Sequence, residues 1–168
     1  RKAQDIFVKA VKKLRLEYGD RARFLVIGTS GQDPYSMEVK KMASDSSIEF
    51  LGELTREEIK KAFQDIDVLV CPSREDPLPI VVTEAMMYGK TCIVSDSVGM
   101  ADHIEDGENG FVFRKDDADA LAERMTWVFR NQNRLAKIGK NARKVYEECF
   151  TMDCFGQRLE DVLRKWIS

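Results

Sequence analysis

The sequence contains no apolar stretch approaching the roughly 18–20 residues that cross a bilayer as a helix. Its opening, Arg1-Lys2-Ala3-Gln4-Asp5, runs straight into an amphipathic pattern without the apolar core of a secretory signal. Charge of one sign is lacking too: 27 Lys and Arg stand against 29 Asp and Glu, a formal net charge of −2. A nucleic-acid partner, which calls for a basic excess or patch, is therefore not expected, and neither is a polybasic membrane contact. Histidine occurs once, at His103, and no His/Cys/Asp cluster has metal-ligand spacing, so no metal is expected. Gly28-Thr29-Ser30-Gly31 is not a Gly-x-Gly-x-x-Gly fingerprint and no Gly-Lys-Ser/Thr follows it, which removes dinucleotide and P-loop readings. Cysteine is sparse: Cys71 and Cys92 lie in or beside apolar runs, and Cys149 and Cys154 have no His nearby to complete a zinc set. All four read as reduced thiols of a cytoplasmic protein.

What is present is a core. The chain has 168 residues, 43% of them hydrophobic, which suits one domain spanning 1–168. It does not begin with Met, so an excised piece of a longer chain is expected. Phe7, Ala10, Val11, Leu14 and Tyr18 recur at helical spacing, and Phe24-Leu25-Val26-Ile27 follows as a short buried strand. A helix over 34–43 and a strand over 48–51 come next. Thr55-Arg56-Glu57-Glu58 is a capping box opening a helix that packs Ile59, Ala62, Phe63 and Ile66. Val68-Leu69-Val70-Cys71 is a third strand, stopped by Pro72, and a helix over 80–88 ends at Gly89. Strands over 91–94 and 111–113 are followed by helices over 117–130, 133–148 and from Thr151 onward. The last stripes Phe155, Leu159, Val162, Leu163 and Trp166. Strands alternating with helices predict an α/β fold, a Rossmann-like doubly wound parallel sheet. Ligands of such sheets sit beyond the C-terminal strand ends, here residues 28–33, 52–55, 72–80 and 95–102.

The segment from Pro72 to Ala85 leaves a buried strand and enters a helix. Pro79 suits the first helical turn, after which the amides of Ile80, Val81 and Val82 can point outward from a positive helix end and hold a diphosphate. Glu84, one turn on, can accept hydrogen bonds from vicinal ribose hydroxyls. Glu75 and Asp76 precede the helix and can meet the hydroxyls of a hexose. A carboxylate on each side of an amide nest suits a nucleotide sugar. Against this stands a plainer account, with Glu84 a solvated helix residue and Asp76 a turn former.

The same stretch resembles the Glu-x7-Glu signature of the retaining GT-B glycosyltransferases of family 4 (glycosyl transferases group 1). Glu84-Ala85-Met86-Met87-Tyr88-Gly89 matches the second half of the motif, and eight positions before Glu84 stands Asp76 in place of the family's first Glu. Two loop glycines of the family are replaced by Pro77 and Pro79. Ile48 to Leu54, Asp67 to Ser73, and Gly107-Glu108-Asn109-Gly110-Phe111-Val112 continue the likeness, so it covers almost the whole chain. It implies the C-terminal, donor-binding half of a GT-B fold, with the acceptor-binding N-terminal domain absent from this chain. The full enzyme is then a bacterial hexosyltransferase using a UDP- or GDP-sugar, a glycan or lipid-linked acceptor and no cofactor, cytoplasmic or peripheral at the inner membrane face. The implied donor-binding residues are Leu54 (its backbone, for the base), Glu75, Leu78, Ile80, Val81 and Glu84. Asp76 and Lys2 are the implied catalytic residues, Lys2-Ala3 standing where the family has a Lys-Gly-like step that neutralises the diphosphate.

Two other readings remain. A nucleotide-sugar epimerase of the same fold needs different acids and a full second domain. A receiver- or flavodoxin-like interaction module needs an acidic cluster after the first strand, where Gly28-Thr29-Ser30 offers none. His103 reads as a half-buried helix residue and Ser95 to Met100 as a connector. The Lys/Glu runs over 3–18 and 133–148 read as solvated faces.

Overall fold

The computed structural model describes residues 1–29 and 31–167; Ser30 of the Gly28–Gly31 loop lies outside them. In chain order the elements are α1 (Gln4–Tyr18), β1 (Phe24–Ile27), α2 (Pro34–Ala43), β2 (Ile48–Gly52), α3 (Arg56–Asp65), β3 (Val68–Cys71) and α4 (Ile80–Met87). Then come β4 (Thr91–Ser95), a 3₁₀ turn (Gly99–His103), β5 (Phe111–Phe113), α5 (Ala118–Arg130), α6 (Gln132–Cys149) and α7 (Met152–Ile167). The strands and helices expected from the apolar periodicity all form, within two residues at each end. The 3₁₀ turn has no signal in that periodicity, because it is shorter than two helical repeats.

All paired strands are parallel, but the hydrogen bonds fall into two ladders, β1-β2 and β3-β4-β5. β4 is the best-protected element, with all five residues buried between its two neighbours. Its side chains alternate between two cores, as the period of a strand requires. Ile93 points into one with Phe7, Val11, Phe111 and Leu121, carried on α1, β5 and α5. Cys92 and Val94 point into the other with Phe63, Val82, Met86 and Ala142, carried on α3, α4 and α6. Helices therefore cover both faces, the doubly wound arrangement. Full burial of a side chain such as Ile93 or Met86 contributes about 1.5–3 kcal/mol, so these layers hold β3 and β4 rigidly under the loops at their C-terminal ends.

Gly89 ends α4 with φ of 65°, the left-handed conformation that favours glycine. Its carbonyl lies where a Cβ on Gly139 would be, so α6 crosses the α4–β4 turn at backbone contact. α7 is different. Its apolar stripe of Phe155, Leu159, Val162, Leu163 and Trp166 is exposed, Trp166 to 85%. No helix among the described residues is long and apolar enough to cross a membrane.

Candidate functional site

β3 ends at Cys71 because Pro72 has no N–H to extend the ladder, and the chain turns out over the sheet edge. The loop that follows is clamped to the segment after β4. Ser95 Oγ donates to the Ser73 carbonyl at 2.5 Å, Gly99 N donates to the Asp76 carbonyl at 3.0 Å, and Asp76 and Val98 form an isolated parallel bridge. A Cβ on Gly99 would collide with the Pro77 carbonyl oxygen, so only glycine admits this approach. Residues 95–100, read from sequence as a connector, are the support on which the loop rests. The two prolines do not leave it unanchored, because its carbonyls rather than its amides carry these contacts.

Lys2 and Asp76 meet at this loop. Lys2 Nζ donates to Asp76 Oδ2 at 2.6 Å, with the lysine side chain 62% exposed and the aspartate 15%. Exposed pairs of this kind contribute up to about 1 kcal/mol, so the lysine is easily drawn to a stronger anion. Ala3 turns the chain between Lys2 and α1; it is fully buried at φ 54° and ψ 40°, a left-handed conformation in which a Cβ costs about 1–2 kcal/mol. The preceding residue contributes as well, since Arg74 N donates to the Arg1 carbonyl at 2.7 Å.

α4 begins without a side-chain cap. Pro79 is the N-cap rather than the first helical residue, and Val82 N donates to its carbonyl at 2.9 Å. Val82 is thus removed from the expected set of outward amides, while those of Ile80 and Val81 take no acceptor among the described residues. The side chains of Glu84, half-buried one turn on, and the exposed Glu75 make no hydrogen bond or ion pair among the described residues. Leu78, Ile80 and Val81 are apolar yet exposed around this helix start, Ile80 to 68%. Leu54 is half-buried beyond β2, beside Glu53, whose carboxylate accepts from Thr29 Oγ1 at 2.6 Å.

The residue that sequence reasoning passed over is Arg74. Its Nη1 and Nη2 donate to Asp5 Oδ1 and Oδ2 at 3.0 and 2.8 Å, and its Nε donates to Asp116 Oδ1 at 2.5 Å. Tyr35 Oη, on α2, also donates to Asp5 Oδ1 at 2.8 Å. Hydrogen bonds to Asp5 and then Asp116 hold the Arg74 guanidinium proton above its ordinary value, against the effect of burial. Burial pushes the Asp5 carboxyl up, but the hydrogen bonds from Arg74 and Tyr35 and the charges of Arg74 and Lys9 outweigh it, leaving Asp5 below its usual range. The one available signal was an arginine inside the signature loop itself.

Other chemistry-bearing groups lie elsewhere. Cys71 and Cys92 are buried thiols pushed up by desolvation, and Cys149 and Cys154 are half-buried and free. His103 stacks edge-on against Phe150 in the 3₁₀ turn. Asp-x-Asp pairs do occur, at Asp65/Asp67 and Asp117/Asp119. Asp117 caps α5 by accepting from the amides of Asp119 and Ala120, and Asp119 pairs with Lys13.

The family model described as "Glycosyl transferases group 1" matches residues 1–145. The chain is 29% identical over 121 residues to the sulfoquinovosyl transferase SQD2 of Arabidopsis thaliana, covering 70% of this chain and 24% of that protein. It spans 24%, 32% and 38% of the length of three curated relatives, well under half of each. Among solved structures, sucrose-phosphate synthase from Thermosynechococcus elongatus superimposes with a TM-score of 0.86 at 20% identity, over 99% of this chain and 43% of that one. Anabaena Alr3699/HepE in complex with UDP does so with a TM-score of 0.72 at 20% identity, over 95% and 55%. These likenesses show the fold.

Proposed function

Since the chain belongs to the glycosyl transferases group 1 family and has a GT-B-type fold, we propose that it is the donor-binding domain of a retaining hexosyltransferase using a UDP- or GDP-sugar. The observation that carries this reading is the juxtaposition of Lys2 on Asp76 beside an uncapped α4, at the C-terminal end of β3. The amides of Ile80 and Val81 hold the phosphates from the positive end of the helix. Glu84 takes the ribose hydroxyls, and backbone groups around Leu54 meet the base. Asp76, with Glu75, takes the hexose hydroxyls, and Leu78 lines the sugar side.

Transfer breaks the bond from the anomeric carbon to the β-phosphate oxygen and forms one to an acceptor hydroxyl, whose proton leaves. Negative charge then grows on the diphosphate. Lys2, released from Asp76, moves onto that charge, and the helix amides add fixed dipoles aimed at it. In this reading no metal takes part, because Lys2 and the amides meet the charge. The acceptor, a glycan or lipid-linked sugar, belongs to an N-terminal domain outside this chain. The exposed stripe of α7 supports such a partner, being an apolar face that no other described residue covers. HepE's complex with UDP supports a nucleotide on this fold.

The test is a calorimetric titration of the 168-residue chain with UDP, GDP and ADP. Saturable binding of UDP or GDP, weakened about tenfold or more in Glu84→Ala, is expected, a loss of about 1.4 kcal/mol. Saturation by none of the three would overturn the reading.

A further inference from the structure

Arg74 occupies the centre of a polar cluster that the donor contacts above do not use. It stands two residues before Asp76 in the loop, while Asp5 stands three residues after Lys2 in the first turn of α1. The fork between them is bidentate, and both side chains are largely covered, Arg74 34% and Asp5 16% exposed. The third donor edge of the guanidinium reaches Asp116, a non-glycine residue at φ 59° in the loop between β5 and α5. Tyr35 closes the cluster from α2, donating to Asp5 Oδ1 and accepting from Asp5 N at 3.3 Å. Two other segments, α1 and the β5–α5 loop, thus bond one planar cation directly, and a third, α2, joins them through Asp5. The Arg74 backbone N–H, bonded to the Arg1 carbonyl, ties the loop to the chain start a second time.

We propose that Arg74 is a positioning residue of the donor site, locking the loop that carries Asp76 and the chain start that carries Lys2 into one frame through Asp5 and Asp116. The inference rests on the donor-site reading and deepens it. Arg74 acts through its neighbours: the fork on Asp5 and the Nε donor on Asp116 hold its guanidinium in place, and the diphosphate is left to Lys2 and the α4 amides. The geometry demands arginine. A lysine ammonium keeps the charge but cannot make two parallel bonds and a third on another edge of the same plane. Asp5 in a first helical turn has an ordinary role, favouring the helix dipole, and that role would survive loss of the fork.

The two roles separate by comparing nucleoside mono- and diphosphate binding in Arg74→Lys and Asp5→Asn. The probes are UMP with UDP, or GMP with GDP, whichever base the unmodified chain binds. The ribose and base contacts serve both members of a pair, whereas Lys2, held in place with the loop, serves the second phosphate of the diphosphate. The expected result is a roughly fivefold or larger drop in the diphosphate-over-monophosphate preference in each variant. Monophosphate affinity stays within about twofold, and the double variant is no worse than either single one, as expected for two groups acting as a unit. Rescue by Arg74→Lys, an unchanged preference, or an equal fall in both affinities would overturn the inference while leaving the donor site standing. Failure of the unmodified chain to bind any nucleotide would instead overturn the reading beneath it.

Discussion

α3 and α4 both leave the C-terminal end of a strand, yet they begin in opposite ways. At α3, Thr55 Oγ1 accepts from Glu58 N at 3.3 Å and Glu58 Oε2 accepts from Thr55 N at 2.8 Å, so two exposed amides are closed by the chain's own side chains. α2 and α5 are closed in the same manner by Asp33 and Asp117. At α4 a proline occupies the N-cap and contributes no side-chain acceptor. Of the two, the helix with the open start is the more deeply packed, with Val82, Ala85 and Met86 fully buried, whereas α3 buries only Phe63. A helix held by tertiary packing can leave its first amides open without fraying. One held mainly by local contacts cannot. Stability supplied by the core is thus what lets the amides of Ile80 and Val81 stay without an acceptor among the described residues.

Exchanging the two starts tests this contrast. The largest effect is expected from Pro79→Asp, which gives α4 an acceptor of its own. Nucleoside diphosphate affinity should fall about tenfold or more by calorimetry, while stability in urea changes by no more than about 1 kcal/mol. Thr55→Ala does the converse at α3. It should cost about 1 kcal/mol in urea unfolding and leave nucleotide affinity nearly unchanged, because the base is met by backbone groups around Leu54 and not by the Thr55 side chain. The smallest effect concerns protons. The backbone amide of Thr55, then its hydroxyl, donates to Glu58 and holds that carboxyl below its ordinary value. A depressed folded value means that the cap's contribution is complete above the ordinary glutamate range and is lost as pH falls through the folded value. An NMR titration should therefore move the Thr55 amide as pH falls below the ordinary glutamate range. The Ile80 amide, with no carboxylate on it, should not follow.

The same contrast marks what can be read from sequence. The box at Thr55 and Glu58 is legible because both partners lie within one turn, and Gly89 is legible because a left-handed helix end favours glycine. Glu84 and Asp76 could be picked out through the spacing of the signature loop. Arg74 could not: its partner Asp5 lies 69 positions away and its other partner Asp116 lies 42 away. The carboxylate of Asp5, in the first turn of α1, reads from sequence as nothing more than a favourable helix acid. The support at Gly99 was missed for a related reason, since a loop glycine announces flexibility unless the carbonyl opposite it is known. Leu159 and Val162 illustrate the converse, a stripe whose spacing correctly forecasts a helix but says nothing about what covers it.

The distribution of the four thiols turns the molecule into its own timekeeper. Cys92 is sealed inside β4 and Cys71 lies at the end of β3, directly ahead of the loop that carries Arg74 and Asp76, whereas Cys149 and Cys154 sit half-open at the junction of α6 and α7. An alkylating reagent meets these positions in sequence: first the helical junction, then β3, and last the middle strand. The interval between the first pair and the second measures how often the sheet under the site comes apart. A ligand gripping the loop beyond Cys71 would lengthen that interval without touching a sulfur atom.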